Sequence, residues 1–343
     1  MHSRELIRRI ICFDHAPRIG YDFFGEGQYS DFVYVSPRGE HHTDYEWHEP
    51  NYFAHDYPKY KAFRGFLRKD EYGNLWGKAL QDPSKQGEVV EGAIVDWDRI
   101  DEFEMPPIDE KSRYSHIPGI LSQSPDKFRM ASLPGMPFVV MRNLRKMENF
   151  LADVMLEQEN VIKLSEKVEA KLCEMVEIYA SLGMDGIFFY EDWGTQDRLL
   201  VSPAIWRKLF KPAFNRICRI AHSHDMFVFM HSCGYIYEIL EDLIDAGIDA
   251  FQFDQPTLMG MDRVSRIFNG RVTLFSPVDI QRYLPTGDKD LIEKNARELV
   301  EMFFVGGGGF IARDYGDYPT IQVKQKWAQF MRDEFYRLGG MSV

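Results

Sequence analysis

The sequence has little of what marks several protein classes. Four cysteines in 343 residues, at positions 12, 173, 218 and 233, make no disulfide framework in a chain of this size. No apolar run approaches the roughly 18–20 residues that a bilayer crossing needs. The N-terminal MHSRELIRRIICFDHAPR is basic, but it lacks a long apolar stretch and a small-residue cleavage site, so no signal peptide is expected. Positive charge is in deficit: 41 Lys+Arg against 53 Asp+Glu leave a net charge of −12. A nucleic acid or an anionic membrane would be repelled over most of such an exterior. Low-complexity segments and sequence repeats are absent too. These absences leave a cytoplasmic globular protein with reduced thiols. At 45% hydrophobic and 27% charged residues it is one large domain or two small ones.

What is present falls into two parts. Residues 19–24 read as a first strand, and residues 21–76 then carry 16 Phe, Tyr or Trp in 56 positions, about twice the 14% of the whole chain. Four of the ten histidines (His41, His42, His48 and His55) lie there, at spacings that match no metal pattern. Gly and Pro break this stretch repeatedly, so short strands with a turn at Tyr72-Gly73-Asn74 are expected. An acidic connector follows, with seven carboxylates between Asp96 and Glu110. From about residue 128 the pattern is regular. Apolar runs at 137–141, 186–190, 226–230, 250–253, 272–275 and 309–312 alternate with helical stretches at about 146–182, 202–222, 235–246, 262–268, 290–304 and 321–338. Ser202-Pro203 is a helix start, an N-cap followed by Pro. This alternation predicts an α/β fold with a parallel sheet, and specifically a (β/α)8 TIM barrel, which takes about 250 residues. Residues 1–343 then form one barrel domain, with 25–115 as an N-terminal elaboration over its mouth.

In such a barrel the chemistry lies at the C-terminal ends of the strands. Those ends carry Tyr21-Asp22, Arg142, Glu191-Asp192, His231-Ser232-Cys233, Asp254-Gln255, Asp279 and Arg313-Asp314. Nearly every one is ionisable or metal-binding. In His231-Ser232-Cys233-Gly234 the first and third residues share a face of the strand, so imidazole and thiolate can converge on one ion. A catalytic zinc takes a third protein ligand, which could come from Asp254 on one side or from Glu191 or Asp192 on the other. Cys12, Cys173 and Cys218 fall within helical segments and read as packing. Gly306–Gly309 precedes its strand, on the face away from the site, and reads as a helix-to-strand turn.

Glu191-Asp192-Trp193-Gly194-Thr195-Gln196, Ser202-Pro203-x-x-Trp206, His231-Ser232-Cys233-Gly234 and Asp254-Gln255-Pro256 together resemble the uroporphyrinogen decarboxylase superfamily, and within it the methyltransferase branch. The resemblance covers roughly residues 128–320. It implies a barrel with zinc at its mouth, passing a methyl group to or from a corrinoid carried on a separate protein. The chain has no recognisable corrinoid-binding motif, so cobalamin would be supplied in trans. Thiol-methylating relatives add a second Cys near the last strand, where this chain reads Ile311-Ala312-Arg313-Asp314-Tyr315-Gly316. The resemblance therefore implies His231, Cys233 and Asp254 as metal ligands, with Glu191 as substitute. A carboxylate in place of a thiolate hardens the ion and suits an oxygen atom, so a methyl ether is the favoured donor. Glu191 and Asp192 are candidates to protonate or orient the departing group, and Gln196 to hydrogen-bond it. Tyr21, Asp22, Arg142, Asp279 and Arg313 are candidate substrate contacts. The alternatives are a methylcorrinoid:thiol methyltransferase, a decarboxylase-like enzyme, a zinc hydrolase, and a non-catalytic partner of a corrinoid protein. The decarboxylases' Arg-rich N-terminal segment has one Arg here, Arg18.

Overall fold

The computed structural model describes residues 1–25, 27–39, 46–81 and 87–340. Among these, eleven strands form two sheets. They are β1 (Gly20–Asp22), β2 (Phe32–Val35), β3 (Gly65–Lys69), β4 (Leu75–Ala79), β5 (Glu88–Glu91), β6 (Phe128–Ser132), β7 (Gly186–Tyr190), β8 (Phe227–His231), β9 (Ala250–Gln252), β10 (Thr273–Ser276) and β11 (Phe310–Arg313). Eight line up in the order β1-β11-β10-β9-β8-β7-β6-β2, each neighbour parallel. The two end strands are drawn together by an Asp22–Ser30 bridge and by the Asp31 N–H donating to the Tyr21 carbonyl at 2.7 Å. The result is a nearly closed (β/α)8 barrel. The other sheet, β3-β4-β5, is antiparallel, and its first turn falls at residues 70–74. No described helix is long and apolar enough to cross a membrane.

Strands this short form because their side chains are buried on both faces, one toward the barrel axis and one toward the helices. Period two then sorts them. Phe32, Phe128, Phe188, Phe229 and Phe275 meet across the axis, with ring centroids 5.5–6.2 Å apart among Phe32, Phe128, Phe229 and Phe275. Each buried ring contributes roughly 2 kcal/mol. The helix Ser3–Ile11 closes the end below them with Leu6, Ile7, Ile10 and Ile11, an apolar face at helical spacing. Arg4 leaves that face to reach the fully buried Asp185 at 2.8 Å. Two residues beyond the axial layer, on the same inward face, come Asp22, Tyr34, Tyr190, His231, Gln252 and Arg313. The barrel is thus stoppered below and furnished with polar side chains above.

Three expectations are corrected. The run 137–141 is the start of a helix, Pro137–Arg145, and the barrel strand is β6 just before it. Pro137 sits at the first helical position, and the backbone N–H groups behind it are capped from outside the segment. Arg142 is accordingly a helix residue. Second, Phe32–Val35 lies within the range 25–115 expected as elaboration, yet β2 pairs with β6 in the barrel sheet. Third, the stretches 146–182 and 202–222 are each two helices, Met147–Leu156 with Gln158–Ser181 and Pro203–Leu209 with Lys211–Ser223. Pro212 at the start of the last one lacks the N–H needed to continue the helix before it. The Ser202 cap is present, its hydroxyl accepting from the Ile205 N–H.

Candidate metal centre at the barrel mouth

His231 is the last residue of β8, and Cys233 follows two residues later with its sulfur turned back toward the ring. Cys233 Sγ lies 3.3 Å from His231 Nε2. On the neighbouring β7 loop, Asp192 Oδ1 lies 3.5 Å from the same nitrogen and accepts the Cys233 N–H at 2.7 Å. The three ligand atoms of Asp192, His231 and Cys233 fall within 4.8 Å of one another. With zinc bonds of about 2.0–2.3 Å, a tetrahedral ion separates its ligands by roughly 3.3–3.7 Å. The group fits zinc, with one carboxylate, one imidazole and one thiolate. Burial, with Asp192 and Asp254 adding to it, pushes the Cys233 thiol well above its usual range. A cation among the three would reverse that effect.

Two glycines make the approach possible. Gly194 and Gly234 cross so closely that a Cβ on Gly234 would lie 2.3 Å from the Gly194 carbonyl oxygen, and Gly234 has φ +80°. The crossing is fixed by the Tyr235 N–H donating to the Thr195 carbonyl at 2.7 Å. It holds the β7 and β8 loops together and so sets Asp192 against Cys233.

Asp254 is close but faces the other ring nitrogen, with Oδ2 3.9 Å from His231 Nδ1. Between them stands Gln252. Its Nε2 donates to Asp254 Oδ1 at 2.8 Å, which leaves its Oε1 facing His231 Nδ1 in hydrogen-bond contact. A carboxylate only accepts, so this amide orientation is forced, and Nδ1 must carry the ring proton. Nε2 is left with its lone pair toward Asp192 and Cys233, as a metal ligand requires. The structure therefore groups Asp192 with His231 and Cys233, and gives Asp254 the task of holding the imidazole through Gln252.

The other expected residues separate clearly. Glu191 is fully buried and points away from the axis: its carboxylate accepts the N–H groups of Met136, Phe138 and Val139 at 3.0–3.2 Å, capping the helix Pro137–Arg145. Burial pushes it up to about 8, while those donors and Arg142 favour the charged form that accepts through both oxygens. It is neither the substitute ligand nor positioned to reach a substrate. Replacing Glu191 with Ala strands three buried donors, and should lower the unfolding free energy by on the order of 3 kcal/mol in a urea titration. Zinc content per folded chain should stay at the wild-type value; a parallel loss of zinc would return Glu191 to the site.

Tyr21 faces outward on β1, packed against Tyr336 with its hydroxyl donating to the Phe335 carbonyl at 3.3 Å, so it does not reach the mouth. Asp279 is buried and saturated: it accepts the N–H groups of Gln281, Arg282 and Thr257 and the Thr257 hydroxyl. Gln196 lies in an exposed turn closed by the Gly194–Leu199 bridge. Asp22 does face inward, accepting from Tyr34 Oη at 2.7 Å and Ser30 Oγ at 2.8 Å. Arg313 also faces inward, 4.0 Å from Asp22, with its guanidinium over the Phe188 and Phe275 rings.

Besides Tyr34, two further inward tyrosines were not expected. The Tyr190 ring centroid lies 4.9 Å from that of His231 and Tyr190 is half exposed, though its position at the end of the 186–190 run was a usable signal. Tyr315 follows Arg313 by two, and burial together with Asp254 and Cys233 raises it to about 12. His41 and His42 lie outside the described residues. His48 stacks on Tyr52, and no second group of three metal-ligating side chains occurs among the described residues.

Asp192 also belongs to a cavity of about 650 Å³. Its barrel side is formed by Ser132, Leu133, Pro134, Tyr190 and Asp192, its helix side by Val139, Arg142, Asn143 and Met147. The antiparallel sheet supplies Trp76, Gly87, Glu88 and Val89 opposite.

Comparison with known proteins agrees with this architecture. No curated protein sequence matches the chain. Its fold is similar to that of a methyltransferase from Methanosarcina mazei, with a TM-score of 0.68 at 15% identity over 98% of this chain and 99% of that one. D-psicose 3-epimerase (TM-score 0.42, 13% identity, 71% and 86% covered) and the E. coli 3-keto-D-glucoside 4-epimerase (0.38, 12%, 71% and 84%) also match. The family profile for uroporphyrinogen decarboxylase (URO-D) matches residues 75–313, well over half of the chain, including β6 to β11 and the whole Asp192-His231-Cys233 group. The chain belongs to the uroporphyrinogen decarboxylase family.

Proposed function

We propose that this protein is a zinc-dependent methyltransferase of that family, moving a methyl group from a small methylated donor, a methyl ether for preference, to the corrinoid of a separate protein. The observation that carries the reading is the meeting of Asp192, His231 and Cys233 within 4.8 Å of one another, with His231 Nε2 3.3 and 3.5 Å from its two neighbours as a tetrahedral zinc requires, beside a cavity that shares Asp192. The near full-length likeness to the Methanosarcina mazei methyltransferase supports the same reaction class. When bound, zinc would supply Lewis acidity to the donor's heteroatom. A donor set with one thiolate and one carboxylate favours oxygen over sulfur at the open position.

The chain's own residues have definable tasks. Gln252 and Asp254 fix the imidazole tautomer. Tyr315 keeps its phenolic proton at neutral pH and can donate from Oη to a heteroatom at the mouth. Trp76, Val89, Leu133, Val139 and Met147 keep water away from the reacting group. Against a decarboxylase acting on a polyacidic tetrapyrrole, the described residues of the mouth include Asp22, Glu88, Asp192 and Asp254 beside Arg142 and Arg313.

The test begins with metal analysis of protein purified without added zinc. About one zinc per chain is expected. Incubation with cobalt(I) cobalamin and methoxylated aromatic compounds should then give methylcobalamin, followed by its absorbance, with the rate lost on chelation and restored by zinc. A chain that takes up no zinc when it is offered overturns the mechanism. Methyl transfer that survives complete zinc removal overturns the metal's role.

A further inference from the structure

We infer that the cavity beside the metal centre takes a small carboxylate with an apolar body, its anionic group held by Arg142. This deepens the methyltransferase reading, resting on its assignment of cavity and metal group to one site. It names the class of donor that the site admits.

The helix Pro137–Arg145 carries two arginines, and Arg145, three residues beyond Arg142, is fully partnered. Arg145 donates to both oxygens of Asp153 and to the carbonyls of Ile94 and Val95. Arg142 makes no hydrogen bond or ion pair with any described residue, although it is half-buried and lies on the cavity wall. Its guanidinium carbon is 5.8 Å from the Phe138 ring. The carboxylates near it are otherwise engaged or distant in role: Glu191 is used by the helix cap, and Asp192 by the Cys233 N–H and the metal group. Glu88, on the opposite wall, is solvent-exposed.

Arg142 is thus the one basic side chain among the described residues of the lining. Around it the wall is mostly apolar: Trp76, Val89, Leu133, Pro134, Val139, Met147 and the Tyr190 ring. A guanidinium with free donors in such surroundings suits a planar oxyanion that it can grip with two parallel hydrogen bonds. The volume, about 650 Å³, lies within the range of roughly 300–1,000 Å³ typical of small-molecule sites. An anion held at Arg142, with its body against Trp76 and Tyr190, would share the cavity with Asp192. A neutral ligand of the same shape would leave the guanidinium unmatched.

Titration calorimetry on the full chain tests this, with 3-methoxybenzoate as the carboxylate and anisole as its neutral counterpart. Both are run on zinc-loaded and on chelator-treated protein. The wild type should bind 3-methoxybenzoate more tightly than anisole by about tenfold or more in either metal state. Arg142→Met should remove that preference and leave anisole unchanged, Arg142→Lys should keep part of it, and Glu88→Gln should leave it intact or increase it. A wild type with no preference for the carboxylate overturns the proposal without any variant being needed. An equal loss for both ligands in Arg142→Met, or loss of the preference in Glu88→Gln, overturns it as well. Arg142-dependent binding in a chain that neither takes up zinc nor transfers methyl would uphold this inference while defeating the methyltransferase reading. Zinc and turnover without Arg142 dependence would do the reverse.

Discussion

Zinc affinity should fall by on the order of 100- to 1,000-fold in Asp192→Ala and in Cys233→Ser, but only about tenfold in Asp254→Ala. The first figure follows from sharing an apparent binding energy of roughly 10–16 kcal/mol among about four ligands. The second is the usual effect of removing a group that orients a ligand without touching the metal. The contrast comes from His231. Asp192 and Cys233 face its Nε2, at 3.5 and 3.3 Å, while Asp254 reaches only the Nδ1 side, and does so through Gln252. Competition against a chromogenic chelator measures all three variants on one scale. Equal losses for Asp192→Ala and Asp254→Ala would mean that Asp254 is a ligand after all.

The second large effect is expected at Gly234. Alanine there must hold φ near +80° and place its Cβ 2.3 Å from the Gly194 carbonyl oxygen. The backbone conformation costs roughly 1–3 kcal/mol and the forced contact a similar amount. A urea titration should show a loss of about 3 kcal/mol, accompanied by weaker zinc binding, because this crossing sets Asp192 against Cys233. Gly119→Ala is the control: nothing lies within 4 Å of the added carbon, and the helix Ile117–Ser122 should tolerate it or gain slightly. A Gly234 variant as stable as that control would show that the two loops are free to separate.

Much of the barrel was legible because parallel strands buried on both faces read as short apolar runs, as at 186–190 and 250–253. His231 and Cys233 were legible for a different reason: spacing of two on a strand puts both on one face. The same parity, counted from the inward Phe188 and Tyr190, already turns Glu191 outward, and from Asp22 it turns Tyr21 outward. The same count puts Asp192, two past Tyr190, on the side of His231; what it leaves open is the choice between Asp192 and Asp254, which the Gly194–Gly234 crossing and the Gln252 amide decide. The run at 137–141 was ambiguous because five buried apolar residues fit a strand or a capped helix equally well. Its cap, Glu191, is more than fifty residues away. Asp279 posed the same difficulty, since its partners, apart from the Thr257 hydroxyl, are backbone groups whose positions no side-chain pattern records.

The phenylalanine layer has a consequence for traffic. With Phe32, Phe128, Phe188, Phe229 and Phe275 closing the axis, and the helix Ser3–Ile11 sealing the end beneath, the barrel offers no rear exit. Whatever reacts at Asp192, His231 and Cys233 must enter and leave by the same doorway, past the walls that carry Trp76 and Arg142. Two reactants that both need that doorway are obliged to take turns or to enter in a fixed sequence. Under the proposed methyl transfer, initial-rate patterns are expected to show an ordered scheme, the small donor seated first and the corrinoid protein arriving over it.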